Sequence, residues 1–171
     1  MVRPSPRSLP VIVASIALAT ACVEQGPGPQ AKKIDPGYVP RHLLATAPAL
    51  TEALDVQLED ARGGKVVYLG YTTSAQTIVP GQPFRITHYW KVIEPPGARW
   101  RVFSLLRGAA STADFMSLPA TDMQRGHGPA TWRAGEIIED EQEIYLRPDW
   151  RSREATLHVG LIEVGAHGLL D

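Results

Sequence analysis

The stretch Phe84-Arg85-Ile86-Thr87-His88-Tyr89-Trp90-Lys91-Val92 decides the fold. Phe84, Ile86, His88, Trp90 and Val92 alternate with Arg85, Thr87, Tyr89 and Lys91. Successive side chains of an extended chain point to opposite faces, so this period of two is a strand with one mostly apolar face and one polar face. Pro80-Gly81-Gln82-Pro83 precedes it and Glu94-Pro95-Pro96-Gly97 follows it, both sequences that turn a chain. The same alternation recurs outward from here. Towards the N-terminus, Leu54, Val56 and Leu58 alternate with Asp55, Gln57 and Glu59, and Arg62-Gly63-Gly64 leads into Lys65 to Tyr71, which predicts a hairpin. Leu50, Leu54 and Leu58 also fall at helical spacing, and a short helical turn is expected over Pro48 to Ala53 before the strand.

Towards the C-terminus, Arg99 to Arg107 is the next strand, with Trp100, Val102, Ser104 and Leu106 on one face and Phe103 and Leu105 on the other. Gly108 to Gly135 has the weakest pattern, with one short strand expected near Phe115 to Leu118 and a long loop through Gly126-His127-Gly128-Pro129 to Trp132. Ile138, Ile144 and Leu146 then share a face across Glu136 to Leu146, as do Leu157, Val159 and Leu161 across Ala155 to Glu163. The 15 Gly and 15 Pro in 171 residues exceed the roughly 12% of an average chain, which favours a turn-rich β domain over a helical bundle. The expected fold is all-β, an antiparallel immunoglobulin-like sandwich of six to eight strands over residues 49–171, behind a disordered N-terminal tether.

A net charge of −1, with both signs scattered, offers no basic patch to neutralise phosphates, so nucleic acid is not expected as a partner. A single cysteine excludes a disulfide framework and a Cys-rich zinc site. Its position carries the information. Arg3 and Arg7 precede an uncharged, mostly apolar run from Leu9 to Ala19, and small residues Thr20 and Ala21 stand directly before Cys22, the order of a secretory signal peptide. The run is shorter than the ~20 residues needed to span a bilayer. Leu18-Ala19-Thr20-Ala21-Cys22 resembles a bacterial lipobox, although Ala19 holds the place where leucine is usual. The resemblance implies removal of residues 1–21 and a diacylglycerol on Cys22; an ordinary signal peptide cut after Ala21 is the alternative. Residues 22–48, rich in Gly, Pro, Ala and Gln, are the expected tether. Val23 stands where an aspartate favours inner-membrane retention in enterobacteria, which points to the periplasmic face of the outer membrane.

A second resemblance covers roughly Leu58 to Ile162. Leu69-Gly70-Tyr71, Pro80-Gly81-Gln82-Pro83, Thr87-His88-Tyr89-Trp90-Lys91, Val102-Phe103, Trp132-Arg133-Ala134-Gly135-Glu136, Asp140 and Leu157-His158-Val159-Gly160-Leu161 are similar to a β-sandwich domain appended to some bacterial membrane glycosyltransferases, which also occurs alone in uncharacterised envelope proteins. It implies fold and envelope location and no activity. His88 stands where an aliphatic residue is usual in that domain, and the sheet is expected to end in a short or missing edge strand after Glu163.

Chemistry-bearing residues are sparse. None of His42, His88, His127, His158 and His167 has the spacing of a metal site. His88 belongs to an apolar strand face, where a hydrogen-bonded core histidine with a depressed pKa is expected. His158 points away from Leu157 and Val159 and is expected in solvent. His127, between glycines and near Asp122, is the histidine placed to touch a ligand. Glu136, Glu139, Asp140, Glu141 and Glu143 offer oxygen ligands for calcium, but period two puts Glu139, Glu141 and Glu143 on one outer face, where solvent and nearby Arg147, Arg151 and Arg153 are the plainer partners. Trp132 and Trp150, each beside an arginine, suit stacking on a sugar or a peptide and equally suit capping the ends of the core. No Gly-x-Ser-x-Gly elbow or phosphate loop occurs. The expected role is therefore a non-enzymatic binding or assembly module, without cofactor or metal, anchored in membrane lipid through Cys22 and contacting an envelope protein or glycan. The alternatives are an accessory subunit of an envelope glycan or glycosyltransferase system and a metal-dependent hydrolase using His127 with Asp122.

Overall fold

The computed structural model describes residues 33–110 and 112–165; the expected signal peptide, Cys22 and the first part of the tether lie outside them. Along the chain, a helical turn α1 (Tyr38–Arg41) and the two-residue strand β1 (Leu43–Leu44) precede β2 (Glu52–Glu59), β3 (Lys65–Thr73), β4 (Pro83–Glu94), β5 (Trp100–Gly108) and β6 (Phe115–Ser117). A short helix α2 (Asp122–Gly126), a 3-10 turn (Pro129–Thr131), β7 (Ile137–Tyr145) and β8 (Ala155–Glu163) complete it. The strands form two antiparallel sheets, one in the order β1-β7-β4-β3-β2 and the other in the order β6-β5-β8. The fold is the all-β sandwich that the alternation predicts, with β4 between β3 and β7, and β5 beside β8.

The inward face of β4 is buried as its pattern dictates, with Trp90, His88 and Val92 at 0% exposure and Phe84 and Ile86 at 5%. β7 pairs with it over nine residues, from Pro83 opposite Tyr145 to Lys91 opposite Ile137, and points Ile138, Asp140, Gln142 and Ile144 into the same interior. The apolar core divides in two. One cluster gathers Val66, Tyr68, Trp90, Val92, Met123 and Trp132; the other gathers Phe84, Ile86, Leu106, Ile144, Leu146 and Trp150. A buried side chain of Val, Leu or Phe size contributes about 1.5–3 kcal/mol relative to exposure, so these two clusters hold the sheets together.

Four local features differ from the sequence expectation. Pro48 to Ala53 forms no helical turn: the Thr51 N–H donates to the Tyr71 carbonyl at 2.9 Å and Glu52 already pairs with Tyr71, because strand pairing with β3 satisfies more backbone there than one helical turn does. The second part of the expected tether is packed. Tyr38, Val39 and Leu43 cover the first core cluster, Leu43 pairs with Ile138, and the Glu139 N–H donates to the His42 carbonyl at 2.9 Å. The folded region thus begins before residue 49. The expected loop contains α2, whose start is a capping box: the Thr121 hydroxyl accepts from the Gln124 N–H, and the Gln124 side chain accepts from the Thr121 N–H. Of the β7 carboxylates, Glu141 pairs with Arg85 of β4 at 3.1 Å and Asp140 is held by Thr121 and Gln124, while Arg147 lies next to Asp149.

Candidate functional site

The three residues singled out for ligand contact are engaged within the fold. Trp132 is 5% exposed, its ring centroid lies 6.0 Å from that of Trp90, and its indole N–H donates to the His127 carbonyl at 2.9 Å. It caps one end of the core and presents no stacking face. His127 Nε2 meets Glu136 Oε2 at 2.9 Å and Nδ1 meets Thr131 Oγ1 at 3.1 Å, which ties the 3-10 turn to the start of β7. Asp122 pairs with Arg125 instead of His127, so the pair needed by the hydrolase alternative is not formed. Trp150 caps the other end of the core at 6% exposure, yet it also lines a cleft of about 510 Å³ with Gln76, Phe84, Arg151 and Arg153. His158 is exposed. Among the described residues no group of three His, Cys, Asp or Glu side chains is placed to hold a metal ion.

Between the two apolar clusters lies a polar layer. The Tyr68 hydroxyl donates to His88 Nδ1 at 2.9 Å, and His88 Nε2 faces Gln142 Oε1 at 3.4 Å. Gln142 in turn meets Ser104 Oγ at 3.0 Å and donates to the Pro119 carbonyl at 3.0 Å. A neutral ring protonated at Nε2 satisfies both of its contacts, and burial drives the His88 pKa down to about 4. Beside it Asp140, 1% exposed, accepts from the Thr121 hydroxyl and from Gln124 Nε2 at 2.7 Å. Burial raises its pKa to about 6 against the pull of those two hydrogen bonds. Every polar group of this layer is matched by another, and the layer bridges β3, β4, β5 and β7, so it specifies how the sheets face each other.

The feature left without an internal partner is the flank beside β8. β8 pairs with β5 over nine residues without a register shift, and no strand lies on its other edge among the described residues. The Val164 N–H donates to the Arg99 carbonyl at 3.1 Å and the Ala109 N–H to the Glu154 carbonyl at 3.1 Å. Backbone groups of an antiparallel strand alternate between its two edges, so Thr156, His158, Gly160 and Ile162 bond to β5. Ala155, Leu157, Val159, Leu161 and Glu163 therefore aim their N–H and C=O groups outward. Below that edge runs a groove of about 460 Å³ lined by Leu54, Tyr68, Tyr71, Ile78, Leu157 and Val159. It shares Gln76, Ile78, Leu106 and Ala155 with the Trp150 cleft, so the two form one trough along the flank. No family model, curated protein or solved structure matches the chain.

The trough has a simple origin in the unequal sheets. Five strands face three, and the apolar residues that β2 turns inward lack a cover: Leu54 is 45% exposed and Val56 47%. The opposite edge, β2 itself, is protected by Glu52, Asp55 and Glu59 and by an irregularity between Ala53 and Val56 where Asp55 adopts φ +50°. β8 carries no irregularity, and its one charge on the face of Leu157, Val159 and Leu161 is Glu163 at its end, paired with Arg99. At the Ala155 end of the trough, Asp114 accepts from the Arg151 N–H at 3.1 Å, the Ser152 N–H at 2.7 Å and the Ser152 hydroxyl at 2.6 Å. These bonds hold its pKa below the usual carboxylate value and fix the rim from which Arg151 and Arg153 project. Asp114 escaped the sequence reading because it stands in the stretch without periodicity.

Proposed function

We propose that this chain is a lipid-anchored cell-envelope protein that binds a partner through the open flank beside β8 and catalyses no reaction. The observation that carries the reading is the trough itself: an apolar surface between two sheets, next to a strand edge whose backbone groups have no partner strand among the described residues. A contiguous apolar patch of this kind marks an interaction surface on a folded protein. The signal-like N-terminus and the position of Cys22 support the anchor, since two or more acyl chains hold a protein on a bilayer stably where one does not. Placement on the periplasmic face of the outer membrane rests on Val23 alone.

Two variants test the two halves of the proposal. Cys22→Ala should abolish incorporation of labelled fatty acid and leave either precursor or protein released from the membrane; unchanged labelling would remove the anchor. For the flank, the full chain in detergent should bind an apolar dye such as bis-ANS. Leu54→Lys with Ile78→Lys, two half-exposed positions, should reduce that binding about tenfold while the melting temperature stays within a few degrees. Dye binding that is indifferent to both substitutions would remove the flank as the site.

A further inference from the structure

We infer that the occupant of the flank is an extended polypeptide segment of another protein, added antiparallel to β8 with acidic residues at its C-terminal end. The inference rests on the flank being the binding surface and says what fills it.

Backbone chemistry selects the class of ligand. The outward N–H and C=O groups of Leu157, Val159 and Leu161 follow one another at every second residue, a spacing that another strand matches and a sugar or a lipid chain does not. Leu157 and Val159 also line the trough and Leu161 packs on the first core cluster, so an added strand would place every second side chain over Leu54 and Val56, which the three-stranded sheet leaves half exposed. One added strand thus satisfies both vacancies, the open ladder and the uncovered apolar face. Alternating apolar and polar residues in the ligand follow, with the apolar set turned inward.

Charge sets the direction. Arg151 and Arg153 are exposed at the Ala155 end of the trough and form no ion pair among the described residues. At the other end Glu163 is already paired with Arg99 at 2.6 Å. A strand antiparallel to β8 brings its C-terminal end to the two arginines, where acidic side chains or a terminal carboxylate are attracted. A parallel strand would bring an amine to the same place and be repelled.

Three synthetic peptides and the full chain in detergent micelles at low salt provide the test. The first peptide is Thr-Val-Thr-Leu-Thr-Val-Asp-Asp, the second carries the two aspartates at its N-terminus, and the third is the first with N-methyl groups on the amides that would face β8. The first should bind and slow hydrogen exchange at Leu157, Val159 and Leu161; the second should bind about tenfold more weakly, and the third not detectably. Arg151→Glu with Arg153→Glu should abolish the preference between the first two. Equal affinity for the two charge placements, or binding insensitive to N-methylation, would overturn the inference. So would slow exchange at those three amides before any peptide is added, with the edge then covered by a second copy or by residues 166–171. If no peptide binds while the dye still responds to Leu54→Lys, the strand inference fails and the flank stands; if neither binds, both fail.

Discussion

At the scale of single residues, His88 and Asp140 sit opposite each other in the β4–β7 register and carry opposite pH dependences. The His88 pKa falls from 6.5 to about 4, so as pH drops through 6.5 the unfolded chain takes up a proton that the folded ring refuses, and stability is lost. The Asp140 pKa rises from 3.8 to about 6, so its contribution is favourable below 3.8 and is lost as pH rises through 6. Each shift corresponds to roughly 3 kcal/mol at its limit, and over pH 6 to 4 the two oppose each other. Urea midpoints compared at pH 6.5 and 4.5 should separate them. Relative to the unaltered chain, His88→Leu should gain stability on acidification and Asp140→Asn should lose it; the same pH response in all three would contradict the assignment. His88→Leu should also lower stability at neutral pH by ~1–3 kcal/mol, because the Tyr68 hydroxyl is left buried without its acceptor. Trp90, wholly buried between Tyr68 and Trp132, should cost ~3–5 kcal/mol as Trp90→Ala. Chemical denaturation would check this, and a loss under 1 kcal/mol would contradict its central place.

At the scale of elements, α2 depends on Thr121. The Thr121 hydroxyl caps the helix and also bonds the buried Asp140, so Thr121→Ala removes a cap and a partner of a buried carboxyl together. A loss of ~2–3 kcal/mol is expected, against about 1 kcal/mol for a cap alone, and equilibrium unfolding distinguishes the two. Gly70 plays a comparable part in β3. It adopts φ +131°, and a Cβ there would run into the Glu52 carbonyl, so Gly70→Ala should cost ~2 kcal/mol or more and loosen the β2–β3 pairing. The strands were legible because one buried face imposes period two, and β8 begins and ends where Leu157, Val159 and Leu161 predict. The helix α2 was legible in principle, since Thr121-Asp122-Met123-Gln124 has capping-box spacing, but its five residues are too few for a periodic apolar face. The docking of Tyr38 to Leu44 had no local signal, because it is decided by pairing with β7 almost a hundred residues later. For the same reason the candidate site was not legible in the sequence, and the expected short or missing last strand falls on residues 166–171, outside the described residues. The trough depends on how many strands each sheet holds, and no single segment encodes that number.

At the scale of the whole molecule, two unequal sheets are held in register by a polar layer and closed at their ends by Trp132 and Trp150. Of the two strand edges beside the trough, β2 is blunted by charge and by its irregular backbone, whereas β8 keeps its register, is apolar beneath and has no strand on its outer side among the described residues. An edge of that kind pairs readily with another chain. The proposed binding role rests on that asymmetry, and its most direct test is amide-resolved hydrogen exchange across β8 in the full chain. Amides bonded to β5, those of Thr156, His158, Gly160 and Ile162, should exchange slowly, and those of Leu157, Val159 and Leu161 should exchange orders of magnitude faster. Uniform protection along β8 would mean that the edge is already covered and would contradict the open flank.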